Sequence, residues 1–424
     1  MKVVPGPQIS ALPIPTHFWV WLGGLSLASL GTQILGFAMA WVAAGYGGAF
    51  AGLVLTAINL PRTLLLLLGG AVVDRVGAWR VMLCGDAVMT LVTGVFAGAL
   101  LMWGPSPWLL LLVAVLMGTV DAFYMPASGS MPRRLVPDEK LAQAMSARQI
   151  SVQLAAVVGG PIGAFVVASV GIAAAAIVNS SAYAVMFVIL LLIRPTNGVP
   201  QIEPAPVETK KTKFGQAALE GLRISLTDPI LRPGLLMLIG CAAFLLPVLS
   251  LILPVLARQQ GWEATHVGLI YGVSTAFTAI IAMWVLLTGG FTRPGLAGCG
   301  GLGIAAVGIL GLAILPGQAL LVTSGALVGL GVGLFSTHIG PLLLGGTPLT
   351  HLGRIQAVVA MAQSLPLLVS NFLLGSLAQF TSARVALVIC SVMLVLTAIL
   401  AARSTQLRSS RRVREAENKQ KAAA

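Results

Sequence analysis

The sequence predicts an all-α polytopic membrane protein with twelve transmembrane helices in two six-helix halves. Hydrophobic residues make up 57% of the 424-residue chain and charged residues only 9%, whereas a soluble domain carries about 25% charged residues. The apolar residues fall into runs of about 20, the length that an α-helix needs to cross a bilayer. A long polar stretch near the middle separates six such runs from six more.

Several of the predicted spans contain glycine or proline, which membrane helices tolerate when neighbouring helices satisfy the backbone. The first residues of the chain show no apolar run before a small-residue cleavage site, so we expect no cleavable signal peptide. The first span should itself direct insertion. The twelve spans are 18–44, 50–69, 79–103, 107–126, 148–169, 172–193, 234–257, 266–289, 295–315, 317–341, 355–378 and 383–402.

Five segments follow from this division. A cytoplasmic N-terminal segment (1–17) precedes the first six-helix bundle (18–193). A cytoplasmic linker (194–233) then leads to the second bundle (234–402), and a basic cytoplasmic tail (403–424) ends the chain.

Weaker patterns support the same organisation. Apolar residues at helical spacing within Phe214–Leu231 predict an amphipathic surface helix in the linker. Pro137 and Leu141 recur as Pro348 and Leu352, each pair in a polar stretch before a span. The recurrence favours two related halves.

The distribution of basic residues predicts the orientation in the membrane. Of the 25 lysine and arginine residues, Arg62 lies within a span, Arg258 and Arg384 lie outside, and the other 22 fall on the cytoplasmic side. This asymmetry is the positive-inside pattern of a bacterial-type inner membrane protein with both termini cytoplasmic. The net charge of +13 is therefore no sign of nucleic-acid binding, and the basic tail is expected near anionic headgroups.

The residue types that enzymes use are scattered. The four histidines lie at positions 17, 266, 338 and 351, and neither a metal-ligand spacing nor a phosphate-binding loop is present. We expect no enzyme activity, no cofactor, no metal and no direct use of ATP. The cysteines all fall within spans, where we interpret them as packing residues: Cys84, Cys241, Cys299 and Cys390.

Three charged residues lie well inside the predicted spans, where charges are costly and a functional role is the default hypothesis. Arg62 and Asp121 lie at comparable depth, roughly 18–21 Å from the outer ends of their spans. We expect them to form an ion pair in a common cavity. One interpretation is that the pair couples transport to proton movement, and another is that it only fixes helix packing. A third is that the two residues make no contact. Asp86 lies nearer the cytoplasm and is expected to serve a charge cluster with Arg75 or Arg80.

A short charged segment links the second and third spans: Gly70-Ala-Val-Val-Asp74-Arg75-Val-Gly77-Ala-Trp-Arg80. Its glycines permit unusual dihedral angles and close backbone approach, so we predict a hairpin turn there. The pattern resembles the signature loop between helices 2 and 3 of major facilitator superfamily transporters. The resemblance implies that fold, and a gating latch in which Asp74 and Arg75 hold the two halves together on the cytoplasmic side in one state.

A second motif lies in the fifth span. Gly159-Gly160-Pro161-Ile-Gly163 resembles an element associated with exporters of this superfamily. Small residues allow close helix contact and proline kinks a helix, so a generic packing helix is the alternative interpretation.

Further segments are similar to the macrolide-efflux and enterobactin-exporter branch of the superfamily. The resemblance implies a monomeric secondary transporter in the lipid bilayer, driven by protons, that exports a bulky, partly apolar small molecule of drug, macrolide or siderophore type. These segments are Gly31-Thr-Gln33, Leu60-Pro61-Arg62, Asp121-Ala-Phe-Tyr-Met-Pro126, Leu135-Val-Pro137, Leu141-Ala-Gln-Ala and Gly353-Arg354.

Polar residues inside the spans are candidates for the cavity wall, although most will form interhelical hydrogen bonds. Gln33, Tyr124 and Gln153 are the favoured candidates, because helices 1, 4 and 5 border the cavity in the resembled family. Three other functions stay open: a nutrient importer or uniporter of the same fold, a transport-dead sensor, and a membrane-embedded enzyme, for which no cluster of reactive residues is seen.

Overall fold

A computed structural model describes residues 14–193, 223, 226–344 and 352–409 of the chain. Twelve long helices in these ranges are apolar enough to cross a membrane, so the prediction of an all-α protein with twelve spans is confirmed. The helices of the first half are α1 (Thr16–Gly45), α2 (Gly48–Val76), α3 (Ala78–Trp103), α4 (Pro107–Ser130), α5 (Asp138–Ser169) and α6 (Ile172–Leu192).

The second half repeats this arrangement, with one irregular helix. Its first span, α7, runs from Leu231 to Gln259 and contains a π-helical turn at Val248–Ile252. The other helices are α8 (Ala264–Thr288), α9 (Pro294–Ile314), α10 (Gln318–Leu344), α11 (Leu352–Phe380) and α12 (Ala383–Ala402). Two short helices, Pro132–Leu135 and Thr405–Ser409, lie between and after the spans.

The helices pack with internal two-fold repetition. In the first half α1 packs on α5 and α6, α2 on α4, and α3 on α4 and α6. The same contacts recur six helices later: α7 packs on α11 and α12, α8 on α10, and α9 on α10 and α12. The two main contacts between the halves, α2 with α11 and α5 with α8, are also related in this way.

The turn between α2 and α3 is shorter than the sequence suggested. Residues 70–76 continue α2, and only Gly77 lies outside the two helices, with φ +93°. This angle is in the left-handed region, which glycine enters without a steric penalty. Nothing in residues 70–76 breaks the helix, so the turn between the two spans consists of Gly77 alone.

The fifth helix begins ten residues before its predicted start at 148. Pro137 precedes the first helical residue, and Glu139 lies in the first turn. Proline and acidic residues are typical of a helix start. The polar residues 138–147 therefore extend α5, and Arg148 lies within the helix instead of at its beginning.

The linker and tail lie largely outside the described residues. This applies to most of the predicted amphipathic helix Phe214–Leu231, to residues 1–13 and to residues 410–424. Where the description resumes, the Asp228 carboxylate accepts hydrogen bonds from the backbone N–H groups of Ile230 and Leu231, both at 2.8 Å. Asp228 thereby caps the start of α7.

Candidate functional site

The two halves meet closely at the end of the bundle where α1 and α7 end. Gly48 on α2 faces Gly375 on α11, and a Cβ atom on Gly48 would lie 2.6 Å from the Gly375 carbonyl oxygen. One helical turn further, Gly52 lies against the backbone of Asn371. Because a side chain at either glycine would clash, this contact depends on small residues.

The exporter-like element of α5 lies in the second contact between the halves. A Cβ atom on Gly160 would lie 2.5 Å from the ring of Tyr271 on α8. Pro161 packs against Gly272 of α8, where a Cβ atom would lie 3.2 Å from the proline ring. Two residues of this motif therefore touch the opposite half directly.

The other two glycines of the motif face α1. Gly159 lies against the side chain of Gln33, and a Cβ atom on Gly163 would lie 3.0 Å from the carbonyl oxygen of Ile34. The motif thus joins α1 on one side and α8 on the other. This placement explains why small residues occur on both sides of the proline.

A cation–π contact closes the same end of the bundle. The guanidinium carbon of Arg258, at the end of α7, lies 4.1 Å from the ring centroid of Trp41 on α1. Arg258 was one of the two basic residues that the sequence predicted on the outer side, where its role was unknown. In the structure it bridges the two halves.

The charged segment after α2 lies at the opposite end. The guanidinium of Arg134 lies over the turn at Gly77, 3.3 Å from the position that a Cβ atom on this glycine would take. Gly70, in contrast, has open space around it, with no atom within 4 Å of an added Cβ. Of the two motif glycines, only Gly77 is required by the backbone conformation.

Asp74, Arg75 and Arg80 are exposed at this end. Among the described residues none of them forms a hydrogen bond or an ion pair. The gating latch therefore stays a prediction, and it would have to form in another state of the protein or with residues outside the described ranges.

Asp86 does not join these charges. Its side chain is fully buried and lies beside the hydroxyl of Tyr124 on α4. The Tyr124 hydroxyl is the polar group that acts most strongly on the Asp86 carboxyl, although neither carboxylate oxygen of Asp86 nor the Tyr124 hydroxyl meets a partner within hydrogen-bond distance and angle limits. The expectation that Asp86 pairs with Arg75 or Arg80 is not met in this conformation, because the side chain points into the first half.

Arg62 and Asp121 lie on helices that pack closely, since Gly118 of α4 lies directly against the backbone of Ile58 on α2. The charge of Arg62 is near enough to act on the Asp121 carboxyl, and both side chains are partly buried. No salt bridge of 4.0 Å or less joins them. The structure brings the two residues to the same region, and the coupling role stays a prediction.

Arg148 is a further charged residue inside α5, partly buried, to which the sequence alone gives no role. Its Nη2 donates a hydrogen bond to the Ser128 hydroxyl at 3.0 Å, whereas its Nε is buried without a partner. The side chain also lies near Tyr124. Because the start of α5 was predicted ten residues too late, Arg148 had been assigned to the membrane boundary.

Tyr183 is a further polar residue that was missed. Its hydroxyl shares a hydrogen bond of 2.9 Å with Thr32 on α1, and its ring packs edge-on against Tyr124 at 5.9 Å. Nearby, the amide of Asn179 is fully buried against Gly31, and neither its oxygen nor its nitrogen has a partner. These residues link α1, α4 and α6.

The three favoured cavity residues differ in exposure. Gln33 and Gln153 are exposed, and their place in the cavity wall stays a prediction. Tyr124 is 93% buried, with 7% of its surface exposed, so it belongs to the packed interior of the first half instead of an accessible wall. Among the described residues no group of three or more histidine, cysteine or acidic side chains could hold a metal ion.

Comparison with known proteins agrees with this architecture. The profile of the Major Facilitator Superfamily matches residues 21–370. A crystal structure of the nucleoside transporter NupG superposes with a TM-score of 0.65 at 12% identity, covering 91% of this chain and 98% of that chain. A structure of a bacterial metal transporter gives a TM-score of 0.64 at 16% identity, covering 93% and 100%.

At these identities the likeness to solved structures shows the fold alone. The family match, in contrast, extends over most of the chain and includes both halves. The protein is thus a secondary transporter and not an enzyme, a multi-pass integral membrane protein that carries small molecules across the bilayer. The chain belongs to the Major Facilitator Superfamily.

Proposed function

We propose that this transporter is a proton-coupled exporter of a bulky, partly apolar small molecule of drug, macrolide or siderophore type. The observation that carries the proposal is the position of Gly160 and Pro161 in the contact between α5 and α8. An element that resembles one found in exporters lies where two halves of such a transporter rock against each other. The transported molecule would bind between the halves near the middle of the membrane.

The proposed orientation has both termini in the cytoplasm of a bacterial-type cell, because most basic residues lie on that side. The end closed by Gly48, Gly52 and the Arg258–Trp41 contact is then the outer end. The conformation is therefore inward-facing, ready to accept substrate from the cytoplasm. One chain contains both halves, so a monomer is sufficient.

The proposed coupling uses Asp121 and Arg62. Arginine keeps its proton, so the carboxyl must be the group that gains and loses one. A proton on Asp121 removes the attraction to Arg62, which frees the guanidinium to move between the two states. Asp86, Tyr124 and Arg148 lie in the same half and give the proton further polar groups nearby.

The principal rival is a nutrient importer or uniporter. One of the structural neighbours is a nucleoside transporter, so nucleosides belong in the panel that tests direction. Cells that express the protein should accumulate less of one or more dyes, macrolides or siderophores than cells with an empty vector. Increased accumulation of nucleosides or another nutrient, with unchanged accumulation of every dye, macrolide and siderophore, would favour the importer.

A further inference from the structure

The second half contains an apolar groove at the predicted cytoplasmic end, separate from the polar groups of the first half. It encloses about 950 Å³ between α7, α11 and the end of α12, a volume within the range of about 300–1,000 Å³ that small-molecule sites occupy. Its walls are almost entirely aliphatic and include Leu235, Ile239, Met361, Leu365 and Leu400. Leu365 and Leu400 leave about half of their surface exposed, at 50% and 51%.

The shape of the groove follows from the sequence of α11. Pro366 lies within the helix and also lines the groove. A proline inside a helix removes a backbone hydrogen bond and bends the axis. On the facing side Pro233 opens the first turn of α7. Proline therefore lies in both of the helices that face each other across this space.

One basic residue lines the mouth of the groove, and another adjoins a lining residue in the chain. Arg232, the second residue of α7, lines it directly and is exposed. Ser404 also lines it and follows the exposed Arg403, whose carbonyl oxygen accepts a hydrogen bond from Arg408 at 3.3 Å. The acidic neighbour, Asp228, is already occupied by two backbone N–H groups at the start of α7.

We propose that this groove binds an anionic phospholipid, with one acyl chain between α7 and α11 and its phosphate at Arg232. Ile239 is seven residues beyond Arg232, so the apolar wall reaches roughly 10 Å into the membrane from the charge. An apolar slot that ends in a cation at headgroup depth has the charge and shape of a lipid, and basic pockets between spans are known to bind anionic headgroups. None of the described lining residues belongs to the first half, so a molecule transported between the halves is a poorer fit.

Lipid binding to the purified full-length protein tests this proposal. Delipidated protein is titrated with phosphatidylglycerol or with phosphatidylcholine, and bound lipid is counted by native mass spectrometry. Arg232→Gln should weaken phosphatidylglycerol binding about fivefold, since one basic residue near the membrane surface contributes about that factor. It should weaken phosphatidylcholine binding much less, because the choline cation cancels the charge of the phosphate in that headgroup. Arg384→Gln is the matched control, because Arg384 is an exposed arginine at the opposite end of the bundle.

A second variant tests the groove itself. Ile239→Trp places a large ring in the slot and should reduce the number of tightly bound phosphatidylglycerol molecules by one. Ile314→Trp, at an exposed position on α9 outside the groove, should have no such effect. Equal binding of both lipids by all variants, or no tightly bound lipid in the unaltered protein, would overturn the proposal. None of these measurements depends on transport.

Discussion

Hydrogen bonding divides the buried polar side chains of the first half into two kinds. Tyr183 has a partner in Thr32, whereas Tyr124, Asp86 and Asn179 have buried polar atoms without one. A buried polar group without a partner reduces stability, so its presence calls for an explanation. The unpartnered groups are therefore the ones we associate with transport, and the partnered one with packing.

Paired substitutions of the two tyrosines test this division. Tyr124→Phe removes a hydroxyl that meets no partner within hydrogen-bond distance and angle limits and lies beside the Asp86 carboxyl, so the apparent melting temperature of the protein in detergent should stay close to that of the unaltered protein. Tyr183→Phe breaks an interhelical hydrogen bond, which contributes about 0.6 kcal/mol in membrane proteins, and should lower it. Transport should fall in Tyr124→Phe and be largely kept in Tyr183→Phe; the reverse pattern would contradict the assignment.

The sequence predicted the depth of the site residues but not the direction in which they point. Counting residues from the ends of the spans brought Arg62 and Asp121 to one region, where the structure also has them. Direction could not be read in this way, because these helices are apolar around their whole circumference. For this reason the sequence alone places Asp86 with the surface charges and Tyr124 in the cavity wall. It gives no role to Tyr183.

At the scale of the helices, glycine controls how closely the two halves can approach. The contact between α2 and α11 rests on Gly48, Gly52 and Gly375, and the contact between α5 and α8 rests on the exporter-like element. Sequence predicted the existence of these helices well, but helix ends were less certain. The extension of α5 back to Asp138 concealed Arg148, because polar residues at the start of a helix resemble a loop.

Filling the space at Gly52 should prevent closure of the outer end. Gly52→Val pushes a side chain into the Asn371 backbone, so α2 and α11 must separate. The test places a cysteine at the exposed Gln33 in a background without the native cysteines. A membrane-impermeant maleimide added from outside should label this cysteine at least tenfold faster when Gly52→Val is present than when Gly52 is kept. Gly36→Val is the control, since nothing lies within 4 Å of its Cβ position; similar rates in both variants would count against a gate at this contact.

The Arg258–Trp41 contact should contribute more weakly to the same closure. A cation–π pair at a partly exposed site is worth about 0.5–1 kcal/mol, so Arg258→Gln should raise the labelling rate of the cysteine at Gln33 about two- to fivefold. Arg384→Gln, which removes the other basic residue predicted on the outer side, provides the comparison. Unchanged labelling in Arg258→Gln would mean that the contact forms without helping to close this end.

At the scale of the whole molecule, the two halves repeat the same packing pattern, and among the described residues the contacts at Gly48, Gly52 and Arg258 join them at one end. Rocking of one half against the other can then open this end and close the opposite one without a change inside either half. One polar interruption and a recurring Pro–Leu pair in the sequence predict this division. They do not predict the conformation, which depends on contacts between helices far apart in the chain.

Spin labels on both ends should report this rotation. A pair at Leu192 and Arg293, on exposed positions at the predicted inner end, should move closer when substrate is added to protein in a proton gradient. A pair at Trp103 and Phe380, exposed at the outer end, should move apart at the same time. If both distances changed in the same direction, the halves would not rock about a central site.

The central claim is that proton movement through Asp121 drives export, and efflux from cells tests it most directly. A panel of dyes, macrolides and siderophores is followed with and without a protonophore, in cells that express the unaltered protein or Asp121→Asn at equal membrane levels. Glu139→Gln serves as a control at an exposed carboxylate that has no assigned role in transport. We predict efflux that the protonophore stops and that Asp121→Asn lacks. Efflux that survives both the protonophore and the Asp121→Asn substitution would contradict proton coupling and leave Asp121 as a packing residue.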